Sequence, residues 1–396
     1  MNSADTSWII VATALVLLMT LPGLALFYGG LVRSKNVLSV FVHNYLIACL
    51  MSILWLACGY SIAFGSGNSF WGGFEKAFLI DINQNTLAGT IPEILFFAFQ
   101  MTFAIITPAL IVGAYVERVS LSFVILFSSL WMLIVYSPIV HWVWGGSLLS
   151  NGSLFEKPVM DFAGGIVVHE TAGIAALTIA FFLGKREETS KPPHNPGMVM
   201  IGASLLWVGW FGFNGGSQLA ADGGAALALS VTHISAAAAS LSWALWEKLK
   251  YGKVSLVGLV TGTIAGLASI TPASGFVGFF EAMIIGFIAG ILCQEGVNFI
   301  RNILKIDDTL DVFAVHGLGG ILGILMMPLL NSIGFSNGSS WVSQILSVII
   351  VGLFTLIMTI IIIKFLNLFI EMRVNHENEV EGLDISVHGE RAYENN

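Results

Sequence analysis

The chain of 396 residues is short of charge. Lys, Arg, Asp and Glu make up only 10% of it, where a soluble domain carries about 25%. Its length alone would suggest two or three soluble domains. The shortage of charge excludes that, because apolar residues take its place from end to end. Hydrophobic residues are 56% of the chain and mean hydropathy is +0.86. Cysteine is scarcer still. Cys49, Cys58 and Cys293 all lie in apolar runs, which excludes a disulfide framework and a zinc pattern and leaves small core residues. No basic patch suits nucleic acid, and the net charge of -8 comes largely from the last 27 residues. No basic stretch precedes the first apolar run and no cleavage-like site follows it, so no cleaved signal peptide is expected.

Apolar blocks are abundant. Eleven have the ~20 residues needed to cross a bilayer: about 8–31, 40–64, 92–115, 121–140, 161–183, 197–214, 225–246, 254–270, 276–300, 312–330 and 341–370. The Pro22-Gly23 pair should kink or break the first. Glycine, with 43 residues, sits inside these blocks, as small residues do where membrane helices approach closely. With the amino terminus outside, the loops and tail on the cytoplasmic side hold 14 of the 16 Lys and Arg, including Arg33, Lys35, Arg118, Lys185, Arg186, Lys191, Arg301 and Lys305. The opposite side holds only Lys76 and Lys157. Cytoplasmic loops are the ones enriched in Lys and Arg, so the expected topology is amino terminus out and carboxyl terminus in. Trp8, Trp71, Trp142, Trp144 and Trp341 fall at outer span ends, as an interfacial belt does. Asn151 and Asn337 head chance glycosylation sequons on that side. The chain divides into a membrane domain, 1–371, and a cytoplasmic tail, 372–396.

Two blocks carry an ionisable residue well inside: His169 in DFAGGIVVHETAGIAAL and His316 in VFAVHGLGGILGILMMPLL. Such residues mark pathways or partners. Packing histidines bonded to a neighbouring carbonyl explain them equally well by residue type alone. The two segments resemble each other (VHETAGIAAL and VHGLGGILGI), and an aspartate precedes each, Asp161 and Asp311. They enter from opposite sides. Two inverted halves of five spans, with a site at their interface, is a recurring transporter plan. A pair of imidazoles suits a small solute that gains and loses protons. Phe99 and Phe103, four apart in FFAFQMTF, share a helix face. With Trp144, Phe213 and Ser217 they offer aromatic faces and a hydroxyl to a small cation, although an ordinary interfacial belt would use the same residues. Bis-histidine haem and a metal site gain no support from neighbouring ligands, so no cofactor is expected.

The motifs LPGLALFYGGLVRSKNVLSV, FQMTFAIITPALIVGAYVER, DFAGGIVVH, WVGWFGFNGGS, DVFAVHGLGGILG and GLDISVHGERAY resemble, in order and over essentially the whole chain, the ammonium transporter (Amt/MEP/Rh) family on its bacterial and archaeal side. The resemblance implies an all-α polytopic membrane protein, not an enzyme, with eleven transmembrane helices in an inverted five-plus-five repeat, and a homotrimer with one pore per subunit. It implies an outer ammonium site at Phe99, Phe103, Trp144 and Ser217, a gate of stacked rings at Phe103 and Phe213, and a twin-histidine pore at His169 and His316. Asp161 matches the aspartate that supports the mouth. A PII-type signalling protein is the implied cytoplasmic partner. An ammonium sensor acting through such a partner is the alternative; a membrane haem or redox enzyme is a more distant one. Glu170, directly after His169, departs from the small or amide residues of many relatives.

Overall fold

The computed structural model describes residues 1–150, 154–155, 157–187, 192–335 and 337–394. Asn151, Lys191 and the last two residues of the tail lie outside the described residues. Among the described residues, ten helices are long and apolar enough to cross a membrane. They are α1 (Ser3–Leu31), α2 (Ser34–Phe64), α3 (Glu93–Tyr115), α4 (Leu121–Val143), α5 (Gly165–Leu183), α6 (Pro196–Gly216), α7 (Gly223–Tyr251), α9 (Phe279–Leu304), α10 (Phe313–Ser332) and α11 (Trp341–Leu366). The eleventh apolar segment of the sequence forms a shorter helix, α8 (Leu256–Ile270). Residues 262–270 of α8 are almost all buried, and the chain then turns at Thr271-Pro272. A two-stranded ribbon, β1 (Leu87–Ala88) with β2 (Ile91–Pro92), precedes α3.

Six of these helices contain a stretch of π-helix. One is Met19–Leu24 in α1, around Pro22. The helix therefore neither stops nor breaks at Pro22-Gly23; it widens by one residue per turn, which removes the steric conflict of the proline ring. Two others carry the histidines: Gly165–Glu170 in α5 and Phe313–Gly317 in α10.

Glycine lets α5 and α10 cross at backbone contact. A Cβ on Gly173 would lie 2.4 Å from the Gly317 Cα, and one on Gly320 would lie 2.4 Å from the Gly165 carbonyl oxygen and 2.8 Å from the His169 Cβ. No larger residue fits at this crossing, and the crossing is what brings the two histidines together.

At one end of the bundle the arginines form a buried ion-pair network. Arg33 Nε meets Glu117 at 3.0 Å, Arg186 Nη1 meets the other Glu117 oxygen at 2.7 Å, and Arg186 Nε meets Asp307 at 2.8 Å. Burial works against the Asp307 charge, but Arg186 and then Arg118 hold its carboxyl below the ordinary value. The tail packs on this end through α12 (His376–Glu381) and α13 (Leu383–His388). Arg373 binds Glu379 at 2.8 Å. Asp384 accepts the backbone N–H groups of Leu38 and Ser39 at 3.1 and 2.8 Å, which caps the first turn of α2.

Candidate functional site

The path begins at the end away from the tail. A cavity of about 290 Å³ lies there, lined by Phe96, Gln100, Trp144, Phe162, Ser217 and neighbours. Trp144 follows the last turn of α4, and its indole N–H donates to the Asp161 carbonyl at 2.8 Å. Ser217 caps α6, its hydroxyl donating to the Phe213 carbonyl at 2.8 Å. The amide oxygen of Gln100 is buried without a partner among the described residues. Sequence reasoning passed over Gln100 and Phe162; an amide in the apolar run FFAFQMTF was a usable signal, because an unpaired polar group in such a run needs a reason. Phe99 does not line the cavity. It is completely buried, its ring against Phe103 at 5.1 Å and its edge against the Cα side of Gly216.

From this cavity a file of rings runs inward. Trp144 meets Phe103 edge to face at 5.9 Å. Phe103 stacks on Phe213 at 4.2 Å. Phe213 faces His169 at 6.1 Å, with interplanar angle 27°, and His169 faces His316 at 5.2 Å. Trp210 flanks His169 at 5.4 Å, held in place by a 2.8 Å bond from its indole N–H to Thr271. The two Nδ1 atoms of the histidines stand 3.3 Å apart. For a hydrogen bond one must donate and the other accept, so the rings differ in tautomer. His169 Nε2 is buried without a partner among the described residues, whereas His316 lines a second cavity of about 320 Å³ that also touches Tyr28, Arg186, Leu310 and Val315. Phe103, Phe213 and His169 line neither cavity. They separate the two.

Each histidine is held by an aspartate eight residues earlier in the chain. Asp161 accepts four backbone N–H groups, from Gly164 and Gly165 on one oxygen and from Ile166 and Val167 on the other, at 2.6–3.1 Å. These are the unpaired donors of the first turn of α5. In α10 the corresponding residue is Asp308, which accepts the Phe313 N–H at 2.8 Å. The sequence reading paired Asp161 with Asp311, and the structure corrects this. Asp311 instead binds Arg301 at 2.7 Å. It occupies the place of Gly164, three residues after the capping aspartate, and both have positive φ (60° and 116°). The equal spacing of eight was legible; the nearer aspartate concealed it.

Buried rings along one file, closed between two cavities and set in a bundle of membrane-length helices, define a membrane transport protein for a small solute. Comparison gives the family. The model of the Ammonium Transporter Family matches residues 7–393. The chain is 45% identical to a putative ammonium transporter of Methanothermobacter thermautotrophicus, covering 99% of each. It is 43% identical to the ammonium transporter of Bacillus subtilis, covering 100% of this chain and 99% of that one. Among solved structures, Mep2 of Candida albicans superposes with TM-score 0.86 at 34% identity, over 96% of this chain and 88% of that one. A protein described as a sensor Amt protein does so with TM-score 0.87 at 30% identity, over 97% and 98%. The chain belongs to the ammonium transporter family.

Proposed function

We propose that this chain takes up ammonium and conducts it as ammonia past Phe103 and Phe213 and along His169 and His316. The observation that carries the reading is the unbroken file of ring contacts from Trp144 to His316. Ammonium collects at Trp144, Phe103 and Ser217 by cation–π and hydroxyl contacts, with Phe99 backing the Phe103 ring. It sheds a proton because a bare charge at bilayer depth costs about 2.5–17 kcal/mol. Ammonia then passes the Phe103–Phe213 gate and exchanges hydrogen bonds with two uncharged imidazoles, each offering one donor and one acceptor. Asp161 positions the His169 helix and supports the mouth. The proton, if it follows, has the histidines and Asp161 as its relay.

The excess of Lys and Arg on one side supports placing the tail, 372–396, and the Arg186 end in the cytoplasm and the Trp144 mouth outside. Exposed apolar helix faces support a multi-pass position in the cell membrane and a homotrimer. The cavity at the Arg186 end, with the packed tail beside it, is the surface offered to a PII-type signalling protein. A second reading, an ammonium sensor, is favoured by the likeness to the sensor Amt protein.

Uptake of labelled methylammonium into proteoliposomes, with ammonium as competitor, tests the first reading; no saturable, competed uptake overturns it. His169→Ala and His316→Ala should change rate or selectivity while the assembly stays intact. Current after an ammonium pulse reads the proton. Growth rescue at low external ammonium separates transporter from sensor.

A further inference from the structure

Glu170 ends the π segment of α5. It is wholly buried, and neither carboxyl oxygen has a hydrogen-bond partner among the described residues. It lies five residues inside the start of α5. The matching position after His316 is Gly317, so the acid belongs to one half of the molecule alone and is no part of the paired-histidine pattern.

The carboxyl lies against α11. A Cβ on Gly352 would stand 3.0 Å from its Oε1. It sits at the floor of a groove of about 420 Å³ walled by Ile174, Leu177, Phe313, Val348 and Leu353. The outer wall is open: Ile349 is 47% and Leu353 54% exposed, on a face made for acyl chains. Thr178, the other polar residue of the groove, already donates to the Ile174 carbonyl at 2.7 Å. Glu170 is thus the groove's one unsatisfied polar group. An unpaired carboxylate in apolar surroundings is costly, so the group rests as the uncharged acid, still lacking a hydrogen bond.

We propose that this groove binds a lipophilic primary amine from the bilayer, with Glu170 as its partner. The amine arrives uncharged. The Glu170 O–H bond breaks, the proton joins the amine nitrogen, and an alkylammonium–carboxylate pair forms with no net charge brought into the membrane. The new N–H donors supply what the carboxyl oxygens lack. Acid–base complementarity selects this occupant: an alcohol has no base strong enough to take the proton, and a fatty acid can pair with Glu170 only as a neutral acid dimer, with no proton transfer. The head meets the carboxyl beside Gly352, where α11 carries no side chain, and Ile174, Leu177 and Leu353 take the alkyl chain. Glu170 and Phe313 belong to the π segments that carry His169 and His316. An occupied groove therefore bears on the ring file from the lipid side without entering it. Binding does not depend on which solute the path conducts.

The test uses the purified full chain and n-octylamine, with n-octanol as the control of equal chain length. In wild type, octylamine should shift Tm saturably and octanol should not. Glu170→Gln, which keeps the shape, and Gly352→Leu, which sets a side chain over the carboxyl and leaves the acid, should each weaken the octylamine response at least tenfold. No saturable shift in wild type, an equal octylamine shift in Glu170→Gln, or an equal shift with octanol overturns the proposal. Should Gly352→Leu not fold, the isosteric Glu170→Gln decides. Methylammonium uptake gives a second readout: octylamine should lower the maximal rate in wild type and spare Glu170→Gln. Inhibition relieved by excess substrate and unchanged in Glu170→Gln would place the amine at the Trp144 mouth and end the groove assignment.

Discussion

Asp161 and Asp308 stand at equal distances before their histidines, yet they hold them differently. Asp161 gathers four backbone N–H groups at the start of α5, and its turn passes through Gly164 at φ 116°. Asp308 accepts the Phe313 N–H at the start of α10, and its turn passes through Asp311 at φ 60°. One design is thus made twice, once with glycine and a full set of donors, once with a non-glycine residue tied to Arg301. The comparison separates what the site needs (a capped start to a π segment) from what each half is free to vary.

The crossing that both halves share is the place to break it. Gly320→Val puts branched atoms where a Cβ already lies 2.4 Å from the Gly165 carbonyl. Overpacking of this kind costs about 1–3 kcal/mol or more, and uptake should fall to background as the histidines part; near-normal uptake would show that the crossing does not set their distance. Next comes the capping pair. Asp161→Ala strands several buried donors, and at roughly 1 kcal/mol or more for each unsatisfied group it should lower stability by several kcal/mol. Asp308→Ala should cost about 1–2 kcal/mol, the range of an ordinary cap. Equal losses in thermal unfolding would mean that the two caps are equivalent after all.

The turns sharpen the contrast at smaller scale. Gly164→Ala meets both positive φ and a Cβ position 2.6 Å from Val168, and should cost at least the ~1–2 kcal/mol of a left-handed residue. Asp311→Gly relieves that conformation but gives up the ion pair with half-exposed Arg301, so its change should stay within about 1 kcal/mol.

The smallest effect is in pH. Burial, and then neighbouring Asp311, raise the Asp308 carboxyl to about 7. An acid whose folded value is raised stabilises the fold at low pH and loses that contribution as pH rises from about 4 through 7, after which the curve is flat. Between pH 6 and 8 the loss is on the order of 1 kcal/mol. Asp308→Asn should flatten that limb of the Tm profile; an unchanged slope would assign it to another group.

Much of this was legible in the sequence. Hydropathy located the apolar segments, because bilayer thickness imposes one length on all of them. Two histidines in apolar runs announced themselves by their cost. What escaped was geometry without a compositional mark. A π segment looks like any apolar helix. Gly173, Gly317 and Gly320 are three glycines among 43, distinguished only by what lies opposite them. Asp311 hid Asp308 because both fit an aspartate near the start of a span, and only backbone φ and hydrogen bonds tell the cap from the turn. Phe99 shares a face with Phe103, as helical spacing requires, but spacing does not say that Phe103 joins the ring file while Phe99 packs behind it.

The π segments carry one further consequence. Each holds an extra residue per turn, so the helix beyond it is rotated by about 100° relative to an unbroken α-helix. In α5 that phase change falls at His169, and in α10 at His316. The residues before each histidine and those after it therefore keep different time around the helix axis. Deleting one residue from Gly165–Glu170 would restore regular α-helix and leave the flanking side chains facing their present neighbours, whereas closing the segment to regular α-helix with its count unchanged would turn every side chain on one side of it to a new neighbour. In this chain the count of residues matters at these two points as much as their kind.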